Sequence, residues 1–253
     1  MIGSFLTPNA HISSSSRSLL ILFWVTMALL MWTGLKPQVF PNPVEVLTVY
    51  PSLWEDGLGD AMITSMMTNL EALTLCILIG LPLVYLSRVP AITPLGAFIA
   101  KMRFVGPSVL FLPLLFLTSG GHQVKVALLT FGQLVYFVTT LTGVVANLPE
   151  YKFDDARTLK MSEWLSIWYV VIRGTVAEAL DAIRDNAAMG WAMLMFVEGL
   201  VRSEGGVGVM MLNMEKHVNF SEVYAIAIAI LMIGISQDWL IGQVKKVMCP
   251  YAS

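Results

Sequence analysis

Six apolar stretches divide this 253-residue chain, at about 19–35, 62–87, 104–118, 124–147, 175–200 and 222–244. A run of about 20 apolar residues matches the roughly 30 Å hydrocarbon core of a bilayer when it is helical. Inside that core every backbone amide needs an internal partner, so a chain with repeated apolar runs of this kind folds as a helix bundle. Composition agrees: 57% of residues are hydrophobic and only 13% charged, against about 45–50% and about 25% for a soluble domain. The expected fold is therefore all-α and polytopic, a single transmembrane domain over 19–247 with about six spans. A polar tail at 1–18 precedes it and a short tail at 248–253 follows.

The first run, LLILFWVTMALLMWTGL, is long for a signal-peptide core and lacks a small-x-small cleavage site, so it reads as a retained helix. Pro107 and Pro113 fall inside the third run, where a kink is expected. Six spans put both termini on one side, and the positive-inside rule selects it. With the termini inside, the inner segments hold Arg17, Arg88, Lys101, Arg103, Lys152, Arg157, Lys160, Arg173, Lys245 and Lys246, ten of the 15 basic residues. The outer loops hold Lys36, Lys125, Arg202 and Lys216. Arg184 falls in the fifth run, near the inner surface, where Asp181 or Asp185 is its nearest expected partner.

Catalysis finds no foothold. The chain lacks GxxxxGK[ST], HExxH and GxSxG, and its three histidines stand apart. Two cysteines, Cys76 and Cys249, define no disulfide framework or metal site. A net charge of −2 gives no reason to expect nucleic acid as a partner. No cofactor is expected in this chain.

The segment 148–173, LPEYKFDDARTLKMSEWLSIWYVVIR, stands out as a polar island between the fourth and fifth runs. Read as a helix, Phe153, Ala156, Leu159 and Trp164 make an apolar stripe at spacings near three and four. Asp154, Asp155, Arg157 and Lys160 occupy the remaining surface, with acids early and a lysine late, as the helix dipole favours. Two readings remain open. One is an interfacial or merely solvated helix. The other is a docking helix that seats its apolar anchors in a groove of a soluble partner.

The island resembles the cytoplasmic EAA loop found in permease subunits of binding-protein-dependent ABC importers. Asp154-Asp155-Ala156 stands at Glu-Ala-Ala, followed by Arg157-Thr158-Leu159. KPQVFPNPVEVL, FVGPSVLFLPLLFL, AIRDNAAMGWAMLMFVEGLV and GGVGVMM resemble, in order, the nitrate/sulfonate/taurine branch of that family. Departures are plain: Lys160 stands where the family has glycine, Arg173-Gly174 where it has Leu-Pro, and Asp155 where it has alanine. A lysine in a left-handed turn costs about 1 kcal/mol.

The resemblance implies the type I importer permease fold, in the bacterial inner membrane, with both termini cytoplasmic. It implies a second permease copy, giving a homodimer, cytoplasmic ATPase subunits that hold ATP and Mg, and an extracytoplasmic solute-binding protein. The cargo would be a small solute, such as an oxyanion like nitrate, a sulfonate or taurine. Phe153, Asp154, Asp155, Ala156, Arg157, Leu159 and Lys160 would contact the ATPase. Phe153, Ala156 and Leu159 would be the anchors, and Asp154 and Arg157 the rim.

Polar groups in the spans mark the candidate path: Glu71, Thr130, Gln133, Tyr136, Thr140, Asn186 and Glu198. Each carries a plainer reading. Glu198 could hold a helix end, and Gln133 and Thr140 could make ordinary interhelical hydrogen bonds. The competing class is a diverged, non-transporting structural or regulatory membrane subunit.

Overall fold

The computed structural model describes residues 13–34 and 40–250. The expected tails at 1–12 and 251–253, and Lys36 in the first outer loop, lie outside the described residues. Twelve α-helices follow one another among the described residues: α1 (Ser14–Gly34), α2 (Pro43–Thr48), α3 (Tyr50–Glu55), α4 (Leu58–Leu86), α5 (Thr93–Lys101), α6 (Pro107–Leu117), α7 (Gly121–Ala146), α8 (Tyr151–Thr158), α9 (Glu163–Ser166), α10 (Val176–Leu200), α11 (Val207–Lys216) and α12 (Phe220–Met248). A π-helical turn at Ile167–Ile172 and a tight 3₁₀ turn at Arg173–Thr175 lead into α10.

Four helices are long and apolar enough to cross a bilayer: α1, α4, α7 and α12. A fifth crossing arises if the segments Thr93–Phe104 and Pro107–Leu117, bent by 110°, count as one span. The third span, expected at 104–118 with a kink, is thus bent near its start. Its helix α6 has 11 residues, about 16 Å at 1.5 Å per residue. The bend falls at Val105 and Gly106, not at Pro113, which stays inside α6. Proline drives the preceding residue out of the helical region, and Gly106 is extended (φ −67°, ψ 152°) before Pro107.

The segment expected as the fifth span forms a helix, α10, 25 residues long, but its charges keep it out of the set able to cross a bilayer by composition. It carries Glu178, Asp181, Arg184, Asp185, Asn186 and Glu198. Asn186 and Glu198 are fully buried among other helices, Asp181 and Arg184 pair with α12, and Glu178 and Asp185 are exposed.

The centre of the bundle is α4, α7 and α10. Cys76 and Val84 from α4, Phe137, Val138, Leu141 and Val145 from α7, Val171, and Ala179 and Ala182 from α10 form one buried cluster. A second cluster joins α2, α3 and the start of α4 to α11 and α12 through Val46, Leu53, Leu58, Val207, Ala225 and Ile226. Tyr50 Oη donates to the Ala225 carbonyl at 2.9 Å there. In contrast, α1 has no buried residue. Its link to the rest runs through Trp32, which donates from Nε1 to the Pro41 carbonyl at 2.9 Å and lies against Tyr224.

Candidate functional site

One end of the bundle is tied by buried polar groups. Glu198, near the C-terminus of α10, accepts from Ser65 Oγ at 2.7 Å and from the Gly208 backbone amide at 2.7 Å. Ser65 Oγ in turn accepts from the Val207 amide at 2.9 Å. The carboxylate therefore sits at the N-terminal turn of α11, where unpaired amides and the helix dipole favour negative charge. Lys125 Nζ, buried as well, donates to the Gly205 carbonyl at 2.9 Å and stands 3.7 Å from Glu198 Oε1. Gly206 has φ 111°, and a Cβ there would collide with both carboxylate oxygens. Glu198, a candidate for the path, is fully buried and holds a helix end, its plainer reading.

Gln133 was another path candidate. Its Nε2 donates to Asn69 Oδ1 at 2.9 Å, joining α7 to α4. Gly190 of α10 lets the two amides meet, since a Cβ there would strike both. Asn186 Nδ2 reaches Cys76 Sγ at 3.2 Å, and Trp191 Nε1 donates to Gln237 Oε1 at 2.6 Å. Among the described residues, Asn69 Nδ2, Thr130 Oγ1, Gln133 Oε1, Asn186 Oδ1 and Gln237 Nε2 are buried without a hydrogen-bond partner. Gln133, Asn186 and Thr130 therefore lie inside the bundle of a single chain, not on an open wall.

The remaining path candidates do face outward. Tyr136 is exposed and Thr140 half-exposed on α7, with exposed Gly143 and Asn147 following. These residues share one side of the helix at spacings of three to four. Glu71 is exposed in mid-α4 and pairs with His122 at the start of α7, 2.8 Å apart. A carboxylate in the middle of a membrane helix is costly against lipid, and His122 is the partner that Glu71 finds within the chain.

The opposite end carries the polar island. Its helix α8 ends in a Schellman turn: the Lys160 amide donates to the Arg157 carbonyl at 2.9 Å and Met161 to Ala156 at 3.1 Å. Lys160 takes the left-handed conformation (φ 54°) that this turn demands. Ser162 Oγ then caps α9 by accepting from the Leu165 amide at 3.3 Å. Arg157 joins the two short helices, 2.9 Å from Asp154 and 3.9 Å from Glu163.

The apolar stripe expected on α8 divides between two sides. Ala156, expected as an outward anchor, is only 3% exposed and packs within its own chain. Phe153 is half-buried against the central cluster. Leu159 at 69% and Trp164 at 65% stand free on the surface. A small residue can fill either flank of a helical stripe, so spacing alone could not assign Ala156 its side. Asp154, Asp155, Arg157 and Lys160 are exposed. A cavity of about 640 Å³ opens beside them, lined by Arg88, Glu150, Phe153, Arg157, Glu163 and Trp164 among others.

Arg184 corrects another expectation. Its partner is Asp238 on α12, bound through both Nε and Nη2, and neither Asp181 nor Asp185. Asp181 is taken by Lys245 at 2.7 Å. Sequence reasoning missed these two bridges between α10 and α12, although Asp238 is a lone acid in an apolar run and thereby calls for a basic partner.

No protein-family model matches the chain. The taurine transport system permease protein TauC of Escherichia coli (strain K12) is 23% identical over 213 residues, covering 81% of this chain and 76% of the relative. A crystal structure of an amino acid ABC transporter with histidines overlays with a TM-score of 0.65 at 15% identity, covering 78% of this chain and 97% of that one. The fold is that of an ABC transporter's membrane subunit. In sequence the chain is similar to a permease protein of a transport system, and its long apolar helices make it a multi-pass membrane protein.

Proposed function

We propose that two copies of this chain form the translocation path of a bacterial inner-membrane importer for a small oxyanion or sulfonate, with taurine the first candidate. The relative's transport of taurine supports the cargo class. In this reading, cytoplasmic ATPase subunits holding ATP and Mg dock on the 150–165 segment, and an extracytoplasmic binding protein delivers the solute. The inner end is the one bearing Arg88, α8 and Lys245, which also holds most of the basic residues.

The observation that carries the reading is the pair of exposed apolar side chains, Leu159 and Trp164, framed by Asp154, Asp155, Arg157 and Lys160 on two capped helices. Free aromatic and aliphatic anchors within a charged rim suit a groove on a soluble subunit. The outward side of α7 bearing Tyr136 and Thr140, and the exposed Glu71–His122 pair, support a path shared with a second copy. Lys160 argues against a subunit that has lost coupling. The turn keeps its left-handed form despite the lysine, so the shape offered to a partner is retained.

The test is purification in mild detergent followed by identification of bound subunits. Trp164→Ala and Leu159→Asp are expected to release the ATPase and abolish binding-protein-driven uptake of radiolabelled taurine in vesicles. Co-purification of an ATPase undiminished in both variants would refute this docking surface.

A further inference from the structure

Arg88 lies in the turn after α4, and it joins three elements that are distant in sequence. Its Nη2 donates to the Val145 carbonyl at the C-terminal end of α7. Its guanidinium lies 5.1 Å from the centre of the Phe153 ring on α8. It forms no ion pair with an acid among the described residues, although Glu150 and Glu163 line the same cavity.

The elements it touches meet at one core but differ in exposure. Val145 and Phe153 both belong to or pack on the central cluster that also contains Cys76, Val84, Ala179 and Ala182. The helix α8 otherwise presents a mostly exposed surface. The Val145 carbonyl already accepts from the Leu148 amide at 3.4 Å, and its second lone pair, at the negative end of the helix dipole, takes a cation well. A flat guanidinium satisfies that carbonyl with one edge and an aromatic face with its plane, which an ammonium does less well.

We propose that Arg88 is a positioning residue that transmits movement of α8 to α4 and α7, so that a push on the docking helix turns the helices bearing Tyr136 and Glu71. The proposal rests on the importer reading, because only a partner that moves α8 gives the link something to transmit. Phe153 is the side chain of α8 that meets both the guanidinium and the core. Arg88 couples the α4 turn to the α7 terminus. Without it, α8 keeps its apolar contact but loses its hold on the end of α7.

The experiment uses the complex purified with its ATPase, with nitroxide labels introduced by Gln123→Cys at the far end of α7 in both copies. Both natural cysteines are buried, and the label-to-label distance is compared in ADP and in Mg-ATP. The wild-type background is expected to show a nucleotide-dependent shift in that distance. Arg88→Ala is expected to lose the shift while still hydrolysing ATP, and Arg88→Lys to restore part of it. Phe153→Leu keeps the apolar volume but removes the ring face, and is expected to weaken the shift even if Arg88→Ala fails to assemble. A full shift in Arg88→Ala, or in Phe153→Leu where the alanine variant does not assemble, overturns the relay. Absence of an ATPase from the wild-type complex overturns the importer reading itself and the relay with it.

Discussion

The two ends of the bundle handle charge in opposite ways. At the end near α11, Glu198 and Lys125 are fully buried and every contact is fixed by a backbone amide, a carbonyl or Ser65. At the α8 end, Arg157, Asp154 and Glu163 remain open to solvent, and Arg184 with Asp238 is only partly covered. A buried ion has no substitute for a lost partner, whereas an exposed one turns to water. The first end is therefore built to hold one geometry and the second to exchange partners cheaply.

The most severe test of this contrast is Glu198→Ala. It leaves Lys125 charged and buried, and the expected loss is about 3–5 kcal/mol, read as a large drop in the melting temperature of the detergent-solubilised protein. A loss below about 1 kcal/mol, the value for exposed pairs, would erase the distinction between the ends. Gly190→Ala comes next. Its methyl group would be forced against Asn69 and Gln133, and overpacking of this kind costs about 1–3 kcal/mol, measurable in the same melt. At the open end, Lys160→Gly is expected to gain about 1 kcal/mol by relieving the left-handed lysine. Protection of the α8 amides against hydrogen exchange should rise accordingly. The smallest change belongs to Asp238→Asn. With side chains 40% and 42% exposed, its pair with Arg184 should contribute less than about 1 kcal/mol, so the melt should scarcely move.

Sequence and structure agree where one residue type decides the outcome. Long apolar runs made α1, α4, α7 and α12 legible, because lipid leaves a helix few alternatives. The cost at Lys160 was legible from its chemistry once the turn was known. Other features depend on partners far along the chain. Asp238 is 54 residues from Arg184, while Asp181 and Asp185 lie close by, so the nearer acids attracted the assignment. A bend was expected from the two prolines, but not its position at Val105 and Gly106, which Pro107 sets by acting on the residue before it while Pro113 is accommodated. Ala156, expected outward, turns inward, whereas Gln133 makes the interhelical hydrogen bond of its plainer reading. Periodicity locates a helical face, but the neighbouring helices decide whether that face looks inward.

The solitary position of α1 carries a consequence of its own. No residue in Ser14–Gly34 is buried by the bundle, so the bilayer supplies nearly all that keeps this segment in place. Selection there acts on greasiness and length, with Trp32 as the fixed point. The apolar positions from Leu19 to Met31 should tolerate wholesale exchange among leucine, isoleucine, valine and phenylalanine, a freedom that α4, α7 and α10 do not share.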